Sequence, residues 1–425
     1  MTLTNEPNHD FHLNNSGYSN YENTTELPRH RWYYYKEGFS PLLVEKAIEH
    51  VGIQADNLII DPFNGSGTTT LTAALEGYKA IGIEVNPFTA FLSIAKIRNL
   101  DTKHLDNWKP SLLEGVMNGL ESKLVGFSTF SETEKLNKWL FNESVLKAFE
   151  GGWNLTETLP SYNLKKLFQL ALISSAMQNC NAKRDGKCLR YRDSWHENGF
   201  NRETFLKSLS ANLEQIKLDI SSHPTKTKPI IMNGDCRKIL NSSKSFDKFK
   251  LCISSPPYLN TFDYTDIYRP ELFLGKFVKT KQELRQLRLK TVRSHIQAKW
   301  ELPKSSDFGV LYEKAIDHVN QNKENLMSKN IPLMIQAYFE DMRNVLQMLK
   351  TKADKEAQIW FVVSNSAYAD MEIPVDLIIG DIGSQVGWYL KEIGVLRQLG
   401  KRKTKHSPNV KELRESVVIF STCKN

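Results

Sequence analysis

The stretch Leu58-Ile59-Ile60-Asp61-Pro62-Phe63-Asn64-Gly65-Ser66-Gly67-Thr68-Thr69 constrains the fold more than any other part of the chain. A β-branched run that breaks into Gly-X-Gly and then into Thr70-Leu71-Thr72-Ala73-Ala74-Leu75 predicts a strand, a tight turn and a helix. Gly65 and Gly67 carry no Cβ, so the turn can take positive φ and a ligand can approach the backbone, while the helix start offers unpaired N–H groups. Taken alone, Gly-X-Gly is equally compatible with a purely structural turn. Asp61 narrows the choice. A carboxylate at the end of the strand suits a cationic ligand better than a pyrophosphate, and the third glycine of the dinucleotide fingerprint is missing.

Three later segments have the same grammar. Lys79-Ala80-Ile81-Gly82-Ile83-Glu84 predicts a buried strand ending in an acid, and Val85-Asn86-Pro87 opens a helix to about Asn99, with Pro87 at a favoured first-turn site. Ile230 to Asp235 repeats the pattern, and Leu251-Cys252-Ile253-Ser254 runs into Ser255-Pro256-Pro257-Tyr258. The carboxyl ends of strands in an open α/β sheet line one crevice, so Asp61, Glu84, Asp235 and the Pro-Pro turn are expected to converge on one ligand. Glu84 is placed to hold a ribose. The two prolines fix their turn and remove two N–H donors, leaving carbonyls free to accept. Further strands at Gln358–Asn365, Trp388–Val395 and Ser416–Phe420 bring the expected sheet to seven.

DPFNGSGTT and SPPY together resemble the cofactor and catalytic motifs of the S-adenosylmethionine-dependent DNA amino methyltransferases, the N4-cytosine and N6-adenine group. The resemblance runs in scattered blocks from Arg29 to Phe420. It implies an α/β, Rossmann-like seven-stranded mixed-sheet methyltransferase fold with a helical insertion, and S-adenosyl-L-methionine as the cofactor. By the same resemblance Asp61 (toward the ammonium), Phe63, Gly65, Gly67, Thr68, Glu84 and Asp235 hold that cofactor, with Lys36, Phe39 and Ser40 folding over its methionine end. Ser255, Pro256, Pro257 and Tyr258 form the catalytic turn. The Ser255 hydroxyl and Pro256 carbonyl would accept hydrogen bonds from an exocyclic amine, and Tyr258 would stack on a base flipped out of duplex DNA. Serine at the first position leans toward cytosine N4, in a modification enzyme that shares its site with a cognate restriction endonuclease. The alternatives are N6-adenine methylation, tRNA guanosine N2 methylation, or a non-catalytic DNA-binding subunit. The cofactor block precedes the catalytic block with a helical insertion between, which leaves the target-recognition region open between that insertion and residues 276–330.

In chain order, residues 1–27 read as a disordered leader, 28–100 as the cofactor-binding part and 101–225 as a helical insertion and candidate DNA lobe. Residues 226–425 read as the catalytic part, with a basic insertion at about 276–330. Lys and Arg outnumber Asp and Glu by 56 to 48, giving +8, a balance suited to a polyanion. Two basic runs are candidates for phosphate contact: Lys183, Arg184, Lys187, Arg190 and Arg192 around Tyr191, and Arg285, Arg288 and Arg293 within Lys276–Lys299. Solvated charge is the competing reading of both. No apolar run approaches membrane-spanning length, and a cytoplasmic protein is expected. The five cysteines lack paired spacing, so free buried thiols and no metal are expected; His30 and His295 read as surface or structural residues.

Overall fold

The computed structural model describes residues 6–11, 17–18, 24–185, 188–242, 246–400 and 408–424. The first half of the sheet forms where the β-branched runs lie. After helix α1 (Pro41–Val51) comes β1 (Leu58–Asp61), fully buried, then α2 (Thr68–Glu76), β2 (Lys79–Glu84) and α3 (Pro87–Lys96). β1 pairs in parallel with β2, as expected of strands joined by a crossover helix.

The chain then leaves the sheet. Helices α4 (Thr102–Asn118), α5 (Glu143–Glu157) and α6 (Tyr162–Gln178), the hairpin β3 (Ala182–Asp185) with β4 (Cys188–Tyr191), and α7 (Arg202–Ser222) form a lobe. α6 is apolar around nearly its whole circumference, and its residues from Leu167 to Ala176 are all buried. The core of the lobe is continuous with Trp32, Tyr33, Phe88 and Phe91, and with Leu272 and Phe273 further on. The helical insertion is thus welded to the cofactor side of the sheet. Asp219 of α7 makes one of the welds: fully buried, it accepts from the Arg29 backbone N–H at 2.8 Å, from Trp32 Nε1 at 2.8 Å and from Arg31.

The sheet resumes with β5 (Ile230–Asn233), followed by α8 (Cys236–Asn241) and β6 (Phe249–Ser254). Short helices α9 (Tyr264–Ile267), α10 (Arg269–Leu274) and α11 (Lys281–Arg288) precede α12 (Val310–Gln321) and the long α13 (Ile331–Lys352). β7 (Ala353–Ser364), a small hairpin of β8 (Ser366–Tyr368) and β9 (Met371–Ile373), α14 (Val375–Gln385), β10 (Tyr389–Gly400) and β11 (Glu412–Ser421) complete the chain. The strand order is β10-β11-β7-β6-β1-β2-β5. β5, β2, β1, β6 and β7 run parallel, β11 is antiparallel to β7, and β10 is antiparallel to β11. This is the seven-stranded mixed sheet with a helical insertion that the sequence led us to expect. From β1 the chain proceeds to β2 on one side, and returns as β6 on the other. The switch point therefore lies between β1 and β6, where a crevice opens beyond the strand ends.

Two expectations are corrected. The described part of the leader is ordered against the sheet: Asn8 bridges Gly394 on the β10 edge, Phe11 packs edge-on against Trp360, and Tyr18 is buried. The segment Lys276–Lys299 does not form one basic helix face, because only Lys281–Arg288 is helical within it and Leu284 and Leu287 turn inward. The loop between β10 and β11 at 401–407 lies outside the described residues.

Candidate active site

The turn after β1 is built by its own backbone. Gly65 and Gly67 have φ of 49° and 87°, the left-handed region that glycine enters without strain. At Gly67 a Cβ would also lie 2.6 Å from Ser93 Cβ, so this glycine lets α2 approach α3. Asn64 N–H donates to the Ile83 carbonyl at 2.9 Å and Gly67 N–H to the Asn64 carbonyl at 2.7 Å, which ties the turn to the end of β2. Glu84 is the other half of that tie. One carboxylate oxygen accepts from Gly65 N–H at 2.7 Å and the other from Asn86 N–H at 2.8 Å. Burial raises the Glu84 carboxyl above its ordinary range, opposed by those two backbone donors.

The loops after β1, β2, β5 and β6 and the segment before α1 enclose a cavity of about 280 Å³. Its walls include Lys36, Phe39, Phe63, Gly65, Thr68, Glu84 and Asp235 from the expected cofactor set, together with Ser255, Pro256, Pro257 and Tyr258. Segments separated by most of the chain thus meet in one space. Asp61, Gly67 and Ser40 do not line it. Asp61 lies beneath the turn at 1% exposure, where Ser254 Oγ–H donates to it at 2.5 Å and Phe63 N–H at 3.0 Å. Burial pushes its carboxyl up to about 7. The expected pairing of Asp61 with a ligand ammonium is corrected accordingly: this acid fixes the junction of β1 and β6. Ser40 is spent as the N-cap of α1, accepting from Leu42 N–H at 3.3 Å. Asp235 reaches the wall, but both its oxygens are held by Arg237, each at 2.9 Å.

Several wall residues carried no motif in the sequence. Glu37 accepts from Tyr268 Oη–H, and burial raises its carboxyl. Asn86 lines the cavity and carries a buried Nδ2 without a hydrogen-bond partner, and Tyr35 stacks on Tyr268 with centroids 5.2 Å apart. His295, read from sequence as a surface or structural residue, is 2% exposed and lines the cavity edge-on to Trp300. Burial lowers its imidazole below the ordinary range, countered by Asp263 and reinforced by Arg288. On the β6 side, Tyr258 Oη–H donates to Glu415 at 2.5 Å and accepts from Ser255 Oγ–H at 3.4 Å. Glu415 also pairs with Arg397 at 2.7 Å, and both line the cavity. Only Glu37 could have been suspected from sequence, by its place beside Lys36; nothing local marks Glu415 or His295.

The basic candidates divide. Arg184 is a buried structural cation, paired with Glu271 and lying 4.3 Å over the Tyr268 ring. Arg288 pairs with Asp263 at 2.5 Å, and Arg293 with Glu340 at 2.7 Å and Asp341 at 2.8 Å. Arg192 is half-buried and donates to the Cys180 carbonyl at 2.9 Å. Pairing with buried acids spends the charge inside the protein, wholly for Arg184 and largely for the partly exposed Arg288 and Arg293, so phosphate contact by these three is corrected to a structural role. Lys183, Arg190 and Arg285 are exposed, and Lys187 lies outside the described residues. The cysteines are all free; Cys180, Cys236 and Cys252 are buried as expected, whereas Cys188 is exposed and Cys423 half-buried.

Comparison with known proteins agrees with the motifs. Residues 4–94 match a family model described as DNA methylase. The chain is 28% identical over 421 residues to the Type II methyltransferase M.BsoBI of Geobacillus stearothermophilus, covering 87% of this chain and 80% of that protein. It is 26% identical over 407 residues to the Type II methyltransferase M.AvaI of Nostoc sp., covering 87% and 81%. A 22% identity over 395 residues to the Type II methyltransferase M.MvaI of Kocuria varians covers 85% and 82%. A solved rRNA methyltransferase from Streptomyces viridochromogenes aligns with a TM-score of 0.31 at 8% identity over 94% of this chain and 86% of that one; the fold assignment rests instead on strand order. The resemblance to the DNA amino methyltransferases is therefore borne out beyond the two motifs that first carried it.

Proposed function

We propose that this chain is the modification methyltransferase of a Type II restriction system, acting on the exocyclic N4 of a cytosine flipped out of duplex DNA. One observation carries the reading: Pro62 to Ser66 of the DPFNGSG turn and Ser255 to Tyr258 of SPPY, far apart in sequence, form walls of one cavity at the switch point between β1 and β6. The relatives' names support the substrate class, and serine at the head of SPPY favours cytosine over adenine by family resemblance.

The residues present fit S-adenosylmethionine. The Gly65 turn leaves backbone open to the cavity, Glu84 holds two backbone donors and keeps lone pairs for a ribose, and Asn86 offers an unpartnered buried Nδ2. With Asp61 withdrawn beneath the turn, Glu37 is the half-buried carboxylate on the wall beside Lys36 and Phe39, and it takes over the role toward an ammonium. When bound, this cofactor supplies an electrophilic methyl group on a cationic sulfur, which the target amine takes up with loss of one proton to water. This chain's own residues do the rest. The Ser255 hydroxyl oxygen and the Pro256 carbonyl accept the amine's N–H bonds, which aims the nitrogen lone pair, and Tyr258 presents a ring to the base. No strong base is needed at nitrogen, because the proton becomes acidic only as the new bond forms; positioning and desolvation supply the rate. The exposed Lys183, Arg190 and Arg285 are the proposed phosphate contacts from the earlier candidates.

Incubation with labelled cofactor and plasmid DNA, followed by nucleoside analysis, tests the reading. N4-methylcytosine is expected. N6-methyladenine would move the target to the sibling chemistry, methylation of tRNA alone would overturn a DNA substrate, and no transfer to either would leave a binding subunit. Among the described residues no helix is long and apolar enough to cross a membrane. Action on the cell's own DNA places the enzyme in the cytoplasm, where the cognate endonuclease would meet the same site.

A further inference from the structure

We infer that Glu415 is a positioning residue that fixes the direction of the hydrogen bonds at Ser255, so that the catalytic turn accepts an amine and rejects a carbonyl. The inference rests on the proposed transfer to an exocyclic amine and adds a reason for its selectivity. A serine hydroxyl is ambiguous: it has one proton to give and two lone pairs to receive with, and by itself it would serve a keto oxygen as readily as an amino group. Cytosine and thymine differ at one exocyclic position in just this respect. The ambiguity must be removed by whatever the serine proton is bound to.

The structure supplies that partner in series. Glu415 lies in β11, opposite Ser364 of β7, and its side chain is 5% exposed. As a carboxylate paired with Arg397 at 2.7 Å it can only accept. Tyr258 has a single hydroxyl proton, and it points to Glu415 at 2.5 Å. The Tyr258 oxygen is then left as an acceptor, and the Ser255 proton is directed to it at 3.4 Å. Both lone pairs of Ser255, which lines the cavity, are left to accept, so an N–H group there would be bound and a carbonyl oxygen would meet only lone pairs. The relay keeps its direction as pH rises, because burial together with Glu415 holds the Tyr258 phenol protonated well beyond its ordinary range. Glu415 touches neither base nor cofactor in this scheme; it acts through Tyr258.

Glu415→Gln tests the relay with little change of shape. One amide face must now present a donor, either to Arg397 or to Tyr258, and the fixed direction is lost. In the full-length enzyme, kcat for methyl transfer to plasmid DNA is expected to fall about tenfold, the scale of one charge-assisted hydrogen bond, with KM for the cofactor unchanged. The same substitution made in a Tyr258→Phe background should cost almost nothing further, and Glu415→Asp should recover part of the rate. Independently of activity, the ring Cζ resonance of Tyr258 in tyrosine-labelled protein, assigned by its loss in Tyr258→Phe, should move in Glu415→Gln. Additive losses in the double variant, or an unmoved resonance, overturn the relay. A moved resonance in a chain that transfers no methyl group to DNA supports the relay and overturns the proposed function instead.

Discussion

The strand-end loops and the basic segments hold their charges in opposite ways. At the strand ends, acids are satisfied by neutral backbone and hydroxyl donors of the strand ends themselves: Glu84 takes the N–H groups of Gly65 and Asn86, and Asp61 the N–H of Phe63 and the hydroxyl of Ser254 at the end of β6. In the basic segments, arginines are satisfied by acids brought from elsewhere in the chain. Arg184 of the β3–β4 hairpin meets Glu271 of α10, and Arg293 meets Glu340 and Asp341 of α13. The first arrangement shapes a cavity, and the second joins the β3–β4 hairpin to α10 and the 276–330 segment to α13. A run of positive charge is therefore no measure of a binding surface until the partners are known, whereas a Gly-X-Gly turn carries much of its structure within itself.

If the strand ends carry the chemistry, the largest effect of any single change belongs there. Tyr258→Ala is expected to nearly abolish methyl transfer to DNA while cofactor binding by calorimetry stays near wild type, since stacking worth about 1–3 kcal/mol is lost and the amine is misplaced besides. Tyr258→Phe keeps the ring and loses only the relay, so it should lie between. Full activity in Tyr258→Ala would reduce SPPY to a structural turn.

If the paired arginines carry architecture, Arg184→Ala should behave as a stability variant. It leaves Glu271 buried without its cation, a loss of about 3–5 kcal/mol by urea denaturation for a broken buried pair. The salt dependence of DNA binding should not change. A flattened salt slope with unaltered stability would return Arg184 to the DNA surface and dissolve the contrast between the two regions.

That contrast also explains what could be read before folding. The seven strands, the cofactor turn and the SPPY wall were legible because each is encoded by a short run: apolar strand, special turn residues, helix start. The fate of Arg184 was not, since its partner Glu271 has no local signature and becomes visible only when α10 packs beside the hairpin. Glu415 was hidden for the same reason, lying two strands from β6 in the sheet and far from it in sequence. Asp61 shows a subtler limit. Its place at the end of β1 was correct, but whether a strand-end carboxylate turns outward to a ligand or inward depends on Ser254 of β6.

Asp61 accordingly offers a test by pH. Its carboxyl is held at about 7 in the folded protein against an ordinary 3.8, chiefly by burial. Between those values the folded state retains a proton that the unfolded chain has released, so stability falls as pH rises through the window and the full penalty is in place above about 7. Asp61→Asn lacks this dependence. Measured by urea midpoints at several pH values, the wild type should lose ground to the variant by up to about 4 kcal/mol from pH 4 to pH 7, and by nothing more above that. A constant difference across the window would mean that Asp61 stays ionised throughout, as an acid serving a ligand cation would.

The smallest effect is expected from the exposed cations, and it sharpens the division within the basic segments themselves. Lys183, Arg190 and Arg285 are exposed, and of the pairs described for them only the solvent-facing contact of Arg190 with Asp185 at 3.2 Å competes for charge. Such a pair is worth little, so Arg190 gives it up readily to a phosphate. Each cation that meets DNA releases condensed counterions, and its neutralisation should lower the slope of log K against log salt by about 0.9. Replacing all three with glutamine should therefore weaken binding alike on every sequence and flatten the slope by two to three such steps, with urea midpoints unchanged. Replacing Arg293 should do the reverse, lowering the midpoint through Glu340 and Asp341 and leaving the slope alone. An unchanged slope in the triple variant would move the phosphate contacts away from both basic segments, and the helical lobe's hairpin would lose its place in DNA binding.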